Sequence, residues 1–422
     1  MNFSKKVLPN GIRLITVPMK DHPTVTVMVL VEAGSKYETK KLSGISHFLE
    51  HMCFKGTEKR PSALAISHEL DSIGAQSNAF TSHEFTGYFA KCDMRHIDTA
   101  LDVVSDIYLH STLPSAEMEK EKGVIIEEIN MYEDLPQRKV QNVFSELLYG
   151  DTPAGWDITG TRETVSSFTR EQFVDYRNRH YVTDATVVVV AGNIDESKIV
   201  SDVTQKFAQA YRGKKDGKEK VIEKQKSASA KIFFKETDQA HLVLGVRTFD
   251  VYNERNPILR VLSGVLGGGM SSRLFQKVRE EMGAAYYVGA GNESFTDHGY
   301  FEVAAGVDQK RVLEVMEAVI SELKRLKEEI VSAQELKKVK DYLIGSMFLS
   351  LETSDALADI YGYQEIMRKP IKTPDEMRVL IESVSGEQIR DLAREIFVPQ
   401  HLNFALIGRF KEESDFLKAL SL

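Results

Sequence analysis

A chain of 422 residues is too long for one ordinary hydrophobic core and suits two domains of about 200 residues each. Its 42% hydrophobic and 27% charged residues are those of a soluble globular protein, and a net charge of -8 argues against a dedicated nucleic-acid binder, which would draw on clustered Lys and Arg. With only Cys53 and Cys92, no apolar run near membrane-span length and no apolar leader before the Asn10-Gly11 turn, a cytoplasmic protein with no membrane partner is expected.

In chain order, residues 12–17 and 24–32 are rich in Val, Ile, Leu and Thr, which predicts two strands around the Asp21-His22-Pro23 turn. A helix follows at about 40–55, closed by Gly56, and a second at 63–73, closed by Gly74. Residues 76–90 predict two further strands with a polar turn. Helices at about 96–110 and 115–133 come next, and more helix leads to a strand at 186–191.

Residues 212–230 are polar and poor in apolar side chains, which reads as a solvated linker near the midpoint. Beyond it the pattern restarts. Glu69-Leu70-Asp71-Ser72-Ile73-Gly74-Ala75 resembles Val278-Arg279-Glu280-Glu281-Met282-Gly283-Ala284, an offset of 209 residues from Gly74 to Gly283. Gly87-Tyr88-Phe89 recurs as Gly299-Tyr300-Phe301, an offset of 212 from Gly87 to Gly299, and a long helix is predicted after each. The expected fold is α+β, with two homologous domains at 1–211 and 231–422, each a mainly antiparallel sheet packed with helices.

The first helix carries His47-Phe48-Leu49-Glu50-His51. On a helix the two imidazoles converge on one face, and Glu50 is turned about 60° to the side. That arrangement can hold zinc and set a carboxylate beside its water, in the order of the inverzincin motif. Two histidines at this spacing can equally be packed in a core, so a third ligand has to be found. The second half has Asn256-Pro257-Ile258-Leu259-Arg260 in the corresponding place, which leaves metal binding to the first half.

The helix at 115–133 offers several carboxylates, and its phase separates them. With Ile125 at the centre of the apolar stripe, Glu121 and Glu128 fall about 40° and 60° to one side, whereas Glu127 points about 160° away. Two carboxylates among buried positions ask for a cation. Glu128 is therefore the expected third ligand and Glu121 a carboxylate that orients the site. The alternative is an acidic amphipathic helix whose Glu side chains all reach outward.

Taken together, His47-Phe48-Leu49-Glu50-His51, Phe54-Lys55-Gly56-Thr57, Asn78-Ala79-Phe80-Thr81, Val124-Ile125-Ile126-Glu127-Glu128 and Leu266-Gly267-Gly268-Gly269-Met270-Ser271-Ser272-Arg273-Leu274-Phe275 carry a resemblance over the whole chain. It resembles the pitrilysin-type zinc metallopeptidases, in the branch of the mitochondrial processing peptidase β subunit and short bacterial processing-protease-like proteins. The resemblance implies one zinc per chain on His47, His51 and Glu128, with Glu50 as general base and Glu121 in catalytic support. It further implies that Arg279 and Tyr286 hold substrate, and that the strand with Asn78, Ala79 and Phe80 pairs with an extended peptide. Taken alone, Arg279 and Tyr286 would be a surface Arg and a packed Tyr.

The implied activity is that of a zinc metalloendopeptidase, a hydrolase of peptides or unfolded segments held in an enclosed chamber. Because the family's chamber needs four domains, a homodimer is implied. A heterodimer is disfavoured because Gly267-Gly268-Gly269 is too short for the long glycine-rich loop of the non-catalytic processing-peptidase subunit. The main alternative is a non-catalytic peptide-binding or scaffold subunit that keeps the fold. A thiol hydrolase through Cys53 is more distant, since Cys53 is turned about 200° from His51 on the helix.

Overall fold

The computed structural model describes residues 3–420. The chain opens with β1 (Ser4–Val7), β2 (Arg13–Pro18) and β3 (Thr24–Val31), then two short 3-10 turns at Ser35–Tyr37 and Lys40–Leu42. After α1 (Ile45–Cys53) and α2 (Ala63–Ser72) come the hairpin strands β4 (Gln76–Thr81) and β5 (Thr86–Asp93). Five helices follow: α3 (Ile97–His110), α4 (Ser115–Asp134), α5 (Pro136–Tyr149), α6 (Arg162–Ser167) and α7 (Arg170–His180). Next are β6 (Thr186–Gly192), α8 (Glu196–Lys206), β7 (Ser229–Phe234), β8 (Gln239–Thr248) and α9 (Asn256–Gly267). A π-helical turn at Phe275–Glu281 leads to β9 (Ala285–Ser294) and β10 (Gly299–Asp308). The remainder is α10 (Val312–Glu328), α11 (Ala333–Ser350), α12 (Ser354–Ile366), α13 (Pro374–Glu382), α14 (Gly386–Ile396), β11 (Asn403–Gly408) and α15 (Ser414–Ala419).

The α+β class expected from the sequence is observed. One sheet has the order β1-β2-β6-β3-β5-β4 and the other β7-β11-β8-β10-β9. Both are mixed: all pairings are antiparallel except β2 with β6 in the first and β7 with β11 in the second. The helix bearing His47 and His51 is shorter than expected. Residues 40–44 form a 3-10 turn and a left-handed Gly44 rather than a first helical turn.

The domain limits differ from the expected 1–211 and 231–422. One compact unit comprises residues up to 130, 156–219 and 350–373; the other comprises 131–155, 220–349 and the chain from 374 onward. Each unit thus takes one helix from the opposite half of the sequence. The reason is visible in the central strands, whose apolar residues do not alternate with polar ones and so need cover on both faces. In β3, Val25, Val27, Val29 and Val31 pack into the core that α3 covers, while Met28 and Leu30 point the other way, onto α12 at Gly362. In the second sheet Leu242, Leu244 and Val246 face one core, and Val243, Ala405 and Ile407 pack on Val140, Val143 and Phe144 of α5.

The linker also departs from a purely solvated connector. Lys215 pairs with Glu32 and Lys218 with Glu84, both acids being buried, so 212–219 is fastened to the first unit and the change of unit falls at 219/220.

Candidate metal centre

The site begins with the way α1 starts. Gly44 sits at φ +94°, and its neighbour across the contact is the 157–160 loop: a Cβ on Gly44 would lie 2.6 Å from the Thr159 carbonyl oxygen. The helix has no side-chain cap of its own at Gly44. Instead the side-chain oxygens of Glu38 accept hydrogen bonds from the Gly44 and Ser46 amides, both at 2.8 Å, which satisfies orphan donors of the first turn. Ser46 Oγ is bonded in turn to the Tyr176 hydroxyl at 2.7 Å.

One turn on, His47 and His51 lie with ring centroids 4.6 Å apart. Nε2 of each is 3.6 Å from Oε2 of Glu128 on α4. The helix phase read from the sequence is reproduced along α4: Glu121 is buried, Glu128 half-buried and Glu127 exposed. Tetrahedral ligands about 2.0–2.1 Å from zinc stand roughly 3.3 Å from one another. The three donor atoms, all within 4.8 Å of one another, are therefore close to the spacing a zinc ion requires, and two imidazoles with one carboxylate are a donor set that suits it. Among the described residues no other cluster of this kind occurs, and the second unit has none.

The surroundings orient the His51 ring and keep His47 neutral. His51 Nδ1 is 2.9 Å from Glu121 Oε1, an arrangement in which Nδ1–H donates and the Nε2 lone pair faces Glu128. The other Glu121 oxygen binds Lys55 at 2.6 Å. Burial, then the neighbouring His51, lowers the His47 pKa to about 4, so this imidazole is neutral and able to donate a lone pair at neutral pH. For His51 burial acts downward, but the hydrogen bond to Glu121 and the charges of Glu50, Glu121 and Glu128 outweigh it and raise the pKa. Burial also opposes ionisation of Glu121, where His51 and Lys55 prevail and lower its pKa. Glu50 goes the other way: burial raises its pKa, opposed by a hydrogen bond from Thr81 Oγ1 to Glu50 Oε2 at 2.6 Å.

Asn78, Ala79 and Phe80 lie in β4, which among the described residues pairs only with β5 and leaves its other edge open. The Ala79 amide donates to the Asn78 side-chain oxygen at 2.9 Å rather than to another strand. Strand alternation puts Ala79 and Thr81 on the face that meets α1. Arg279 and Tyr286 belong to the second unit and both are exposed; Arg279 rests on the Phe275 ring within the π-helical turn, and Tyr286, 74% exposed, is near the start of the edge strand β9. Cys53 is fully buried and accepts from the Tyr88 hydroxyl, with burial raising its pKa, so it offers no nucleophile.

Sequence reasoning missed Glu38, Lys55 and Thr81. The first two act on the site through loop and helix-end contacts that leave no periodic trace. Thr81 was within reach, since period-two alternation from Ala79 assigns it to the same face.

Residues 14–162 match the family Insulinase (Peptidase family M16), and residues 167–343 match the Peptidase M16 inactive domain. A Bacillus subtilis protein named uncharacterized zinc protease YmxG is 40% identical over 93% of this chain and 95% of its own length. One from Streptomyces coelicolor, also named an uncharacterized zinc protease, is 33% identical over 97% of this chain and 90% of its own. Among solved structures, a protease from Helicobacter pylori superposes with a TM-score of 0.91 at 21% identity, covering 96% of this chain and 99% of that one. A chain of complex III2 from Candida albicans superposes at 0.86 with 17% identity, covering 99% and 100%; at such identities the likeness is one of fold alone. The extent and level of identity to the named zinc proteases, together with the two matched domains, show that this chain belongs to the insulinase, or M16, peptidase family.

Proposed function

We propose that this protein is a zinc-dependent endopeptidase that hydrolyses peptides or unfolded segments bound in extended form. The observation that carries the reading is the equal 3.6 Å spacing of the His47 and His51 Nε2 atoms from Glu128 Oε2, with Glu50 on the same helix. His47, His51 and Glu128 would hold one zinc per chain. Zinc, when bound, lowers the pKa of a coordinated water toward about 7 and polarises a carbonyl.

The rest falls to the protein. Glu121 keeps His51 in the tautomer that presents Nε2. Glu50 accepts the proton of the attacking water and returns it to the leaving amine. The open edge of β4 supplies main-chain pairing for a substrate strand, with the Ala79 amide, now held by Asn78, available to it. Arg279 and Tyr286, exposed in the second unit, are assigned to substrate holding. Two M16 domains per chain support a homodimer enclosing a chamber. Two free, buried cysteines and the absence, among the described residues, of a helix long and apolar enough to cross a membrane support a reducing, cytoplasmic setting.

A non-catalytic scaffold would need no intact metal set, and the complete set favours the catalytic reading. The test is Glu50→Gln. It should bind zinc at the wild-type ratio by elemental analysis and lose cleavage of a quenched peptide library. Cleavage at the wild-type rate by the variant, or wild-type protein purified without stoichiometric zinc, overturns the proposal.

A further inference from the structure

Thr81 is the last residue of β4, the strand with the open edge, and its hydroxyl donates to Glu50 Oε2 at 2.6 Å. That is the length of a charge-assisted O–H···O⁻ bond. A hydroxyl has one proton to give. The other hydroxyl near Thr81 is that of Thr86, directly opposite on β5 at 3.3 Å, and Thr86 directs its own proton to the Ala33 carbonyl at 2.8 Å. The shorter contact, to the Glu50 carboxyl oxygen, takes the Thr81 proton. The hydroxyl is aimed by backbone that is itself fixed, since Thr81 and Thr86 are register partners in the β4–β5 ladder.

We infer that Thr81 is a positioning residue for Glu50, tying the carboxylate that moves the proton to the strand that would carry the substrate. This rests on the proposed function, in which Glu50 is the base and β4 the pairing edge. With one carboxylate oxygen held by Thr81, Glu50 keeps a single rotamer and the other oxygen remains free for the reaction. The strand that sets the register of a bound peptide then also sets the aim of the base, so a peptide seated out of register would displace both together.

Two substitutions separate the hydroxyl from the shape of the side chain. Thr81→Val keeps the branched shape and removes the proton; Thr81→Ser keeps the proton and removes a methyl. In the zinc-loaded full chain, Thr81→Val should lower kcat about tenfold or more, the scale of a hydrogen bond to a charged group, with KM and zinc content unchanged. Thr81→Ser should stay within about threefold of wild type. Wild-type kcat in the Val variant, or an equal loss in both, overturns the inference in favour of a packing role.

A second readout needs no activity. In metal-free protein, the urea midpoints of Thr81→Val, Glu50→Ala and the double variant, followed by Trp156 fluorescence, should be non-additive. Additive midpoints overturn the bond itself. If zinc-loaded wild type cleaves no peptide, the proposed function fails, while this cycle still decides whether Thr81 holds Glu50.

Discussion

Glu38 sits 4% exposed with its carboxylate on two backbone amides, and burial, partly offset by the bonds from Ser46 and Gly44, raises its pKa from 4.5 to about 7. A carboxyl whose pKa is higher folded than unfolded binds its proton more tightly in the native state. The stability this contributes is complete below pH 4.5 and is lost as pH rises through about 7. The span corresponds to ~3 kcal/mol. Metal-free wild type should therefore lose about that much between pH 4.5 and 8 relative to Glu38→Gln, whose amide does not titrate. Trp156, the single tryptophan, lies in the first unit and reports its unfolding in urea at each pH. Glu121 makes a different contribution, through His51. Glu121→Gln should weaken zinc binding about 10- to 100-fold, read by chelator competition, while the protein stays folded.

At the scale of elements, α1 can begin where it does only because its N-cap, Gly44, and Gly160 in the facing loop lack side chains. Gly44 and Gly160 both have positive φ, and a Cβ on Gly160 would lie 2.3 Å from the Ser43 carbonyl oxygen. Ala at either position meets backbone rather than a movable side chain and should destabilise the first unit by roughly 2–4 kcal/mol. Gly123, within α4, is the internal contrast: a Cβ there meets nothing within 4 Å, and Gly123→Ala should stabilise by about 0.5–1 kcal/mol. Thermal unfolding of the three variants gives both signs in one experiment. The phase of α4 was legible in the sequence, because a 20-residue helix with one apolar stripe assigns every carboxylate a direction. The start of α1 was not legible to the residue, since it is set by Glu38 and the 157–160 loop.

For the whole molecule, the exchanged helices decide what can fold alone. Buried residues of α12 include Leu357, Ala358, Tyr361 and Gly362, and without them the Met28, Leu30 and Val189 face of the first sheet would lie open. Further ties hold α12 to the first unit: Arg13 reaches Glu32 at 2.7 Å and Glu365 at 3.4 Å, and Thr26 Oγ1 bonds Ser354 Oγ at 2.8 Å. A fragment of residues 1–219 should thus be unstable or aggregated in gel filtration and circular dichroism, despite ending at the linker. Co-expression with a segment spanning 350–373 should improve its solubility. A monomeric, cooperatively folded 1–219 fragment would show that the exchange is dispensable.

The sequence by itself determined the two-part α+β plan, the helix bearing His47, Glu50 and His51, and the inward turn of Glu121 and Glu128. These follow from periodicity, which acts over a few residues and records which side of an element is buried. Tertiary structure alone decided what does the burying. An apolar face on residues 136–149 or 354–366 states that a partner exists but not which sheet it is, so the helix exchange was invisible. The same holds for Glu38, Lys55 and the linker lysines, whose partners are charges and amides brought close only by the folded chain.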